Sequence, residues 1–434
     1  MSIRRVKDDQ APVRESVPEK ITRIREDLGH ESSSLRLLLK RSQVPILRAL
    51  WALAIAGLLE RVVVALISEG SNDVGIWKGW ATLLEQRSLT DMYSSVEGFN
   101  HPPLMAAWSL AALRLARGTG VRFAILLKVP SLLADGLASY LLWRIWRSAG
   151  SLRAAAVVAA FAWNLDSILV SGFHGNTDSF CAMLCLVSAA CLQRRAFFVA
   201  GLGLAAALNV KLIPIVLVPS LLLQIRTRRQ ALALLGGLAL GLVPFLPFLV
   251  SAGEGFYRHA IVYNSLPDNW GIGFFLNSSE QNARFAAAAT RFAPIYRASA
   301  RYLILLACTM LGAWGRWRRW SPYRIYFLCL ATFLVFTPGF GVQYTVYVVP
   351  LLFAINLGRA VAYSFASGLF ILSVYFVFGL HTFPWRSEFN MNFPLPTSLF
   401  GLVAWMVLIT IVLSELAGEA RGRPLQEVTR AGEG

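Results

Sequence analysis

The polar stretch that follows the first membrane-length apolar run, residues 69–103, carries side chains that can do chemistry. Asp73 lies only a few residues beyond the apolar run, and Trp77, Trp80 and His101 come after it. A carboxylate held at a membrane surface can act as a general base and remove a proton from an acceptor hydroxyl. The alternative is an ordinary solvated acid in a polar loop.

His101 is followed directly by Pro102 and Pro103. Prolines donate no backbone hydrogen bond and stiffen the start of a helix, so they could hold the imidazole at the rim of a cavity. An ordinary turn before a surface helix is the alternative interpretation.

A second polar group begins where a later apolar run ends. His174, Asn176 and Asp178 place an imidazole, an amide and a carboxylate within five residues. Such a group could bind sugar hydroxyls or, less readily, a divalent metal. The alternative is capping of the next helix by Asn176, Thr177 or Asp178, which would leave His174 unexplained.

Several charged residues interrupt apolar runs. Lys128 and Asp135 are seven residues apart, so they share one face of a helix. Ionisable residues in membrane helices are costly and usually face a cavity or a partner, so these two either line a site or pair with other helices, and Asp166 poses the same question. Lys211 could hold a phosphodiester as a point charge, or its ammonium could snorkel to the headgroups.

Two more groups are candidates because of where they fall along the chain. Arg258 and His259 lie in a long loop, about 251–300. Gln343 and Tyr344 end a glycine-containing stretch, and they could hydrogen-bond a sugar that the glycines allow to come close. A tight turn between two helices is the alternative for this stretch.

Composition shows what must position these residues. Of the 434 residues 56% are hydrophobic and 15% are charged, against about 25% charged in a soluble globule. The solid apolar runs predict an all-α polytopic membrane protein and exclude a membrane β-barrel, whose strands alternate in polarity. We expect about twelve spans, at about 46–67, 124–143, 154–172, 179–193, 196–211, 212–225, 231–250, 302–315, 323–338, 344–358, 361–380 and 397–415.

The formal net charge of +17 reflects arginine clusters between apolar runs, which is the positive-inside pattern rather than a nucleic-acid footprint. With these clusters in the cytoplasm, both tails, 1–45 and 416–434, are cytoplasmic, and no cleavable signal peptide is visible. The domain 46–415 then has outer loops at about 69–123 and 251–300. The five cysteines fall within or at the ends of apolar runs, so neither a disulfide framework nor a zinc site is expected.

The same topology makes two further predictions. The run 103–116 becomes a helix that lies on the outer surface or dips partly into the membrane, because counting it as a span would break the parity of the arginine clusters. The runs 196–211 and 212–225 are short for a bilayer, and short paired helices suit a site buried at membrane depth.

Taken in order, these motifs resemble the glycosyltransferase C superfamily, whose members use polyprenyl-phosphate sugars. The resemblance is closest to the dolichyl-phosphate-glucose glucosyltransferases and to the bacterial polyprenyl-phosphate-mannose mannosyltransferases. The motifs that carry it are Asp73 with Trp80, Asn100 to Leu104, Lys128 to Asp135, Trp163-Asn164 through His174-Gly175-Asn176, Asn209 to Lys211 with Pro219, and Gln343-Tyr344 with Pro350.

The resemblance implies transfer of a hexose, mannose or glucose, from a polyprenyl phosphate to a lipid-linked or envelope glycan acceptor on the outer face. It implies inversion at the anomeric carbon, with Asp73 as the base and with Lys211, helped by Arg258 or His259, stabilising the leaving phosphate. Neither metal nor cofactor is expected. The other candidate substrate-binding residues are Trp80, His101, Lys128, Asp135, His174, Asn176, Asp178, Gln343 and Tyr344.

Other functions stay open at this point. A transporter or flippase of lipid-linked sugars would have internal repeats with paired broken helices, and no convincing repeat is visible. A polymerase or ligase that uses a diphosphate-linked glycan is a neighbouring enzymatic possibility, whereas a non-catalytic scaffold would not need an outer Asp, His and Lys cluster. The membrane would be the plasma membrane in a bacterium and the endoplasmic reticulum in a eukaryote, with the site on the outer or luminal face.

Overall fold

A computed structural model describes residues 43–96, 98–261, 270–281, 284, 286–381 and 393–417. Most of both predicted tails and part of the predicted loop 251–300 therefore lie outside the described residues. The chain forms two compact units, 1–50 and 51–434, and of the first only the helical residues 43–50 are described.

The described residues are helical and contain no β-strand, which confirms the all-α class. The helices are α1 (Gln43–Ile67), α2 (Asn72–Leu84), α3 (Leu89–Ser95), α4 (Pro103–Thr119), α5 (Phe123–Ala149), α6 (Ser151–Ala162), α7 (Leu165–His174, partly π-helical), α8 (Asp178–Gln193), α9 (Phe197–Val210), α10 (Ile213–Gln224), α11 (Arg228–Ser251), α12 (Gly253–Phe256, continued by a π-helix over Tyr257–Ile261), α13 (Gly271–Gln281), α14 (Ala286–Arg318), α15 (Pro322–Phe336), α16 (Val342–Ile355), α17 (Leu357–Tyr375, continued by a π-helix over Phe376–Leu380) and α18 (Leu395–Ala417).

Each of the twelve predicted spans coincides with an apolar helix or with the bent pair α6–α7, but among the described residues at most seven are long and apolar enough to cross a membrane. By length and composition, six helices of the described part can cross a membrane, namely α1, α5, α11, α14, α17 and α18. The pair α6–α7, bent by 43°, would make a seventh span. The remaining apolar helices, α8, α9, α10, α15 and α16, have 10–17 residues. The protein is therefore a polytopic membrane protein in which long candidate spans pack against shorter apolar helices.

The bend between α6 and α7 is stabilised by a buried arginine. Arg61 of α1 donates to the carbonyl oxygens of Phe161 (2.9 Å) and Ala162 at the end of α6, where the helix leaves carbonyls without intrahelical partners. Its Nε also donates to Asp135 Oδ2 at 2.8 Å, and both side chains are almost completely buried. Asp135 thus makes the structural pair with another helix that the sequence left open.

The short helices α2, α3 and α4 form a group that packs against α5. α4 begins with Pro103, and the residue that follows its last turn, Gly120, is in the left-handed conformation typical of a helix end. α4 is not among the candidate spans. An aromatic cluster that includes Tyr93, Phe248 and Phe256 fastens α3 to the end of α11 and to α12. This packing holds the segment between Asp73 and His101 against α11 and α12.

Candidate active site

Ser71 joins the start of α2 to the end of α7. Its side chain is the N-cap of α2 and accepts a hydrogen bond from the backbone N–H of Asp73. Its hydroxyl and its backbone N–H both donate to the carbonyl oxygen of His174, at 2.9 and 3.3 Å. Two motifs that lie about a hundred residues apart in the chain are thereby brought side by side.

The Asp73 carboxylate is held through one of its two oxygens. Asn176 Nδ2 donates to Asp73 Oδ2 at 2.6 Å, and His174 Nε2 lies 3.2 Å from the same oxygen. No described residue donates a hydrogen bond to Asp73 Oδ1, and the side chain is 26% exposed against 4% for His174. The arrangement orients the carboxylate and leaves one oxygen available to a substrate hydroxyl.

The surroundings favour the ionised form of this acid. Burial raises the pKa of Asp73, but the interactions with His174 and the charge of Lys211 oppose this effect of burial. The net effect is a pKa below the usual value for an aspartate. Asp73 is therefore a carboxylate at neutral pH and can accept a proton.

His174 and Asn176 act on Asp73 rather than as helix caps. The N-cap of α8 is Thr177, which makes no side-chain capping bond. The His174 ring stacks on Tyr375, with centroids 5.2 Å apart and planes 15° apart, and Ser131 donates to the Asn176 carbonyl at 2.8 Å. These contacts fix the two side chains that in turn fix the carboxylate.

A buried cation lies close to this group. Lys211 joins α9 to α10, and its Nζ donates to Asp178 Oδ1 at 2.8 Å. The Asp178 side chain is completely buried and that of Lys211 is 12% exposed. Lys211 Nζ also lies 4.6 Å from the centroid of the Tyr344 ring. Because an ammonium has three donors, Lys211 can still donate to a bound phosphate.

His101 lies in an aromatic setting next to the same charges. Its ring is 4.4 Å from that of Trp77 and 5.5 Å from that of Trp80, and its carbonyl accepts a hydrogen bond from Tyr93 Oη at 2.6 Å. Burial, with help from the charge of Lys211, lowers the pKa of His101 to about 3. The imidazole is therefore neutral and can both donate and accept a hydrogen bond.

Other candidates do not join this group. Lys128 is completely buried and bonds to Ser68. Arg258 pairs with the exposed Glu254 at 2.5 Å, and among the described residues neither Arg258 nor His259 forms a hydrogen bond or ion pair with Asp73.

Gln343 also lies apart from Asp73 in its contacts. Its amide, at the start of α16, packs against Gly341 in the turn before that helix. No cluster of three or more metal-binding side chains occurs in the described part of the chain.

Sequence reasoning missed Ser71, Ser131 and Tyr375. Ser71 carries a recognisable signal, since a serine before an acid in the first turn of a helix is a typical N-cap. Tyr375 carries none, because its stacking on His174 depends on the tertiary packing of α17 against α7. The resulting site combines an oriented carboxylate, a neutral imidazole and a buried ammonium.

A comparison of the sequence with known protein families identifies the family of the chain. The sequence model of glycosyltransferase family 87 matches residues 99–338, a range that includes His101, His174, Asn176 and Lys211 and begins after Asp73. A search of curated proteins found no match. Since the family model covers more than half of the chain and the fold is that of a polytopic membrane protein, the chain belongs to glycosyltransferase family 87 and is an integral membrane glycosyltransferase.

Proposed function

We propose that the protein transfers a hexose, mannose or glucose, from a polyprenyl-phosphate donor to a lipid-linked or envelope glycan acceptor, on the outer or luminal face of the membrane. The observation that carries the proposal is the Asp73 carboxylate, which is fixed through Oδ2 and open at Oδ1. The buried ammonium of Lys211, whose charge acts on Asp73, supports it further.

The reaction follows from these groups. An acceptor hydroxyl donates its hydrogen bond to Asp73 Oδ1 and its oxygen attacks the anomeric carbon of the donor. The bond between that carbon and the phosphate oxygen breaks, the electron pair leaves with the lipid phosphate, and Asp73 takes the proton. Attack on the side opposite to the phosphate inverts the anomeric configuration.

Lys211 supplies the charge that the leaving phosphate needs. An ammonium placed where negative charge develops lowers the barrier most when it is preorganised and shielded from water. The bond to Asp178 and the contact with Tyr344 hold Lys211 in place before substrate arrives. A phosphate is a good leaving group, so this reaction needs no general acid.

The aromatic group around His101 suits a sugar. Trp80 is partly exposed beside the neutral imidazole, which can donate to one sugar hydroxyl or accept from another. In this proposal His101 and Trp80 orient the hexose. His174 and Asn176 act one step further away, by orienting Asp73.

The test is hexose transfer by purified protein in lipid vesicles, with radiolabelled polyprenyl-phosphate mannose and polyprenyl-phosphate glucose as donors and a lipid extract as acceptor source. The variants are Asp73→Asn, which keeps the shape but removes the base, and Asp91→Asn as its control. Asp91 also lies in the group of short helices α2 to α4, but it is exposed and belongs to the capping box of α3. We expect transfer by the wild type and by Asp91→Asn, and a near-complete loss in Asp73→Asn.

Each other outcome has a distinct meaning. Full transfer by folded Asp73→Asn would keep the enzyme but reject this base. No transfer by folded wild type with either donor, together with movement of lipid-linked sugar across the vesicle membrane, would replace the enzyme with a flippase.

A further inference from the structure

Lys128 is a fully buried lysine that makes no ion pair with a carboxylate of the described residues. Its Nζ donates to Ser68 Oγ at 2.8 Å and to the Ser68 carbonyl oxygen at 3.2 Å, and its exposed fraction is 0%. Burying an ammonium without a counter-ion is costly, so we expect a buried lysine that bonds only to a serine to serve the structure or the function of the site. A side chain with no exposed surface is poorly placed to touch a sugar or a phosphate.

The contacts of Lys128 connect three elements at one point. Lys128 belongs to α5, and Ser68 follows the last residue of α1. Ser68 Oγ in turn donates to the carbonyl oxygen of Gly172 in α7, at 3.3 Å. The ammonium thus ties the segment that leads to Asp73 to the segment that leads to His174.

The aliphatic part of the Lys128 side chain lies next to the backbone of both segments, at Gly70 and at Gly175. Gly70 and Gly175 have positive φ angles of 92° and 77°, and a Cβ atom on either one would lie 3.4 Å from Lys128 Cε. The same Cβ atoms would lie 2.6 and 2.5 Å from Val74 Cγ2, closer than real Cβ contacts allow. Both segments therefore pack closely around the Lys128 side chain. Only glycine fits at positions 70 and 175, because both positions have positive φ and no room for a Cβ atom.

We propose that Lys128 is a positioning residue that sets where the Asp73 carboxylate sits relative to His174 and Asn176. Gly175 separates the two residues that bond to Asp73 Oδ2, and Gly70 directly precedes Ser71, the N-cap of α2. Among the described residues Lys128 forms no hydrogen bond or ion pair with Asp73, so it would act through the two backbone segments. The inference rests on the proposed function, in which Asp73 is the base.

The experiment replaces Lys128 with methionine in the full-length protein in lipid vesicles. Lys128→Met keeps the length of the stem and removes the ammonium. A misplacement of about 1 Å can cost on the order of a hundredfold in rate, so we expect kcat to fall about a hundredfold, with KM for the donor little changed. The control is Arg114→Met, which removes an exposed cation of α4, and it should keep the wild-type kcat.

A second background separates positioning from a general loss of structure. In Asp73→Asn the base is already absent, so adding Lys128→Met should not lower the residual rate further, whereas a general structural defect would lower it again. Ser68→Ala removes the hydroxyl that accepts from Lys128 and should lower kcat in the same direction. It carries the test if Lys128→Met does not fold.

Two results would overturn the inference. One is a folded Lys128→Met variant, or a Ser68→Ala variant where the former does not fold, with the wild-type kcat. The other is an equal loss from Lys128→Met in the wild-type and Asp73→Asn backgrounds. Failure of the proposed function looks different: either the wild type itself transfers no hexose or Asp73→Asn retains full activity, and Lys128 then has no base to position.

Discussion

The buried pair of Lys211 and Asp178 allows stability and catalysis to be separated. In the proposed reaction Lys211 stabilises the leaving phosphate, but it also neutralises Asp178, whose side chain has no exposed surface. Replacing Lys211 with methionine removes both effects at once. Replacing Asp178 with asparagine in the same molecule removes the charge that was left unpaired.

The structure sets the size of each effect. Breaking one partner of a buried ion pair costs about 3–5 kcal/mol, because the remaining charge stays buried. With Asp178 fully buried and 2.8 Å from Lys211 Nζ, Lys211→Met belongs in that range, a large share of a typical stability of about 5–15 kcal/mol. The double variant should regain most of this loss, because a neutral amide replaces the buried carboxylate.

The assay pairs thermal unfolding in detergent with hexose transfer in vesicles at a temperature where all variants are folded. We expect Lys211→Met to unfold at a much lower temperature than the wild type and the double variant to recover. Transfer should be lost in both, because neither has the ammonium.

Recovery of transfer together with stability in the double variant would refute this reasoning. It would show that Lys211 is only the counter-ion of Asp178 and that another group stabilises the phosphate.

Three further predictions concern the pKa of Asp73, the backbone at Gly175 and the buried arginine of α1. His174→Phe keeps the aromatic stack but removes the contacts that do most to lower the pKa of Asp73. The pKa of Asp73 should therefore rise, and activity should be lost at a higher pH on acidification. An unchanged acidic limb of the pH–rate profile would contradict this. Gly175→Ala should lower the melting temperature more than Gly120→Ala. Both residues have φ near 75°, a conformation that costs an alanine roughly 1–2 kcal/mol, but only Gly175 lacks room for a Cβ atom. Equal decreases in melting temperature would argue against the close contact. Arg61→Leu should destabilise the protein by about 3–5 kcal/mol while transfer per folded molecule stays near the wild-type value, and a selective loss of turnover would give Arg61 a functional role.

The helices could be predicted from the sequence, but their relation to the membrane could not. Every predicted apolar segment coincides with an apolar helix or with the bent pair, because solid apolar runs bounded by arginine clusters leave little choice of structure. The segments 196–211 and 212–225 were recognised as short from their length. Whether such helices cross, bend or stop within the membrane depends on packing against α11 and α14, which no local pattern records.

The members of the site could be predicted, but not the roles that their contacts indicate. Asp73, His174 and Asn176 were candidates by residue type, yet only the folded chain brings the latter two onto the carboxylate. Lys128 and Asp135 share a helix face, as their spacing predicts, but their partners come from other parts of the chain. The helical period fixes which face a residue occupies and says nothing about what packs there.

The shortness of α9 has a consequence for the lipid around it. In the proposed topology Arg195 lies at headgroup level on the cytoplasmic side, just before α9, and the 14 residues of the helix rise only about 21 Å before Lys211. A hydrocarbon core is about 30 Å thick, so the bilayer must thin here or water must fill a recess above the ammonium. A polar headgroup that meets Lys211 then has to sink below the ordinary membrane surface. Hydrophobic mismatch with the surrounding lipid thus sets how far it must descend, and membranes of longer acyl chains would lengthen that path.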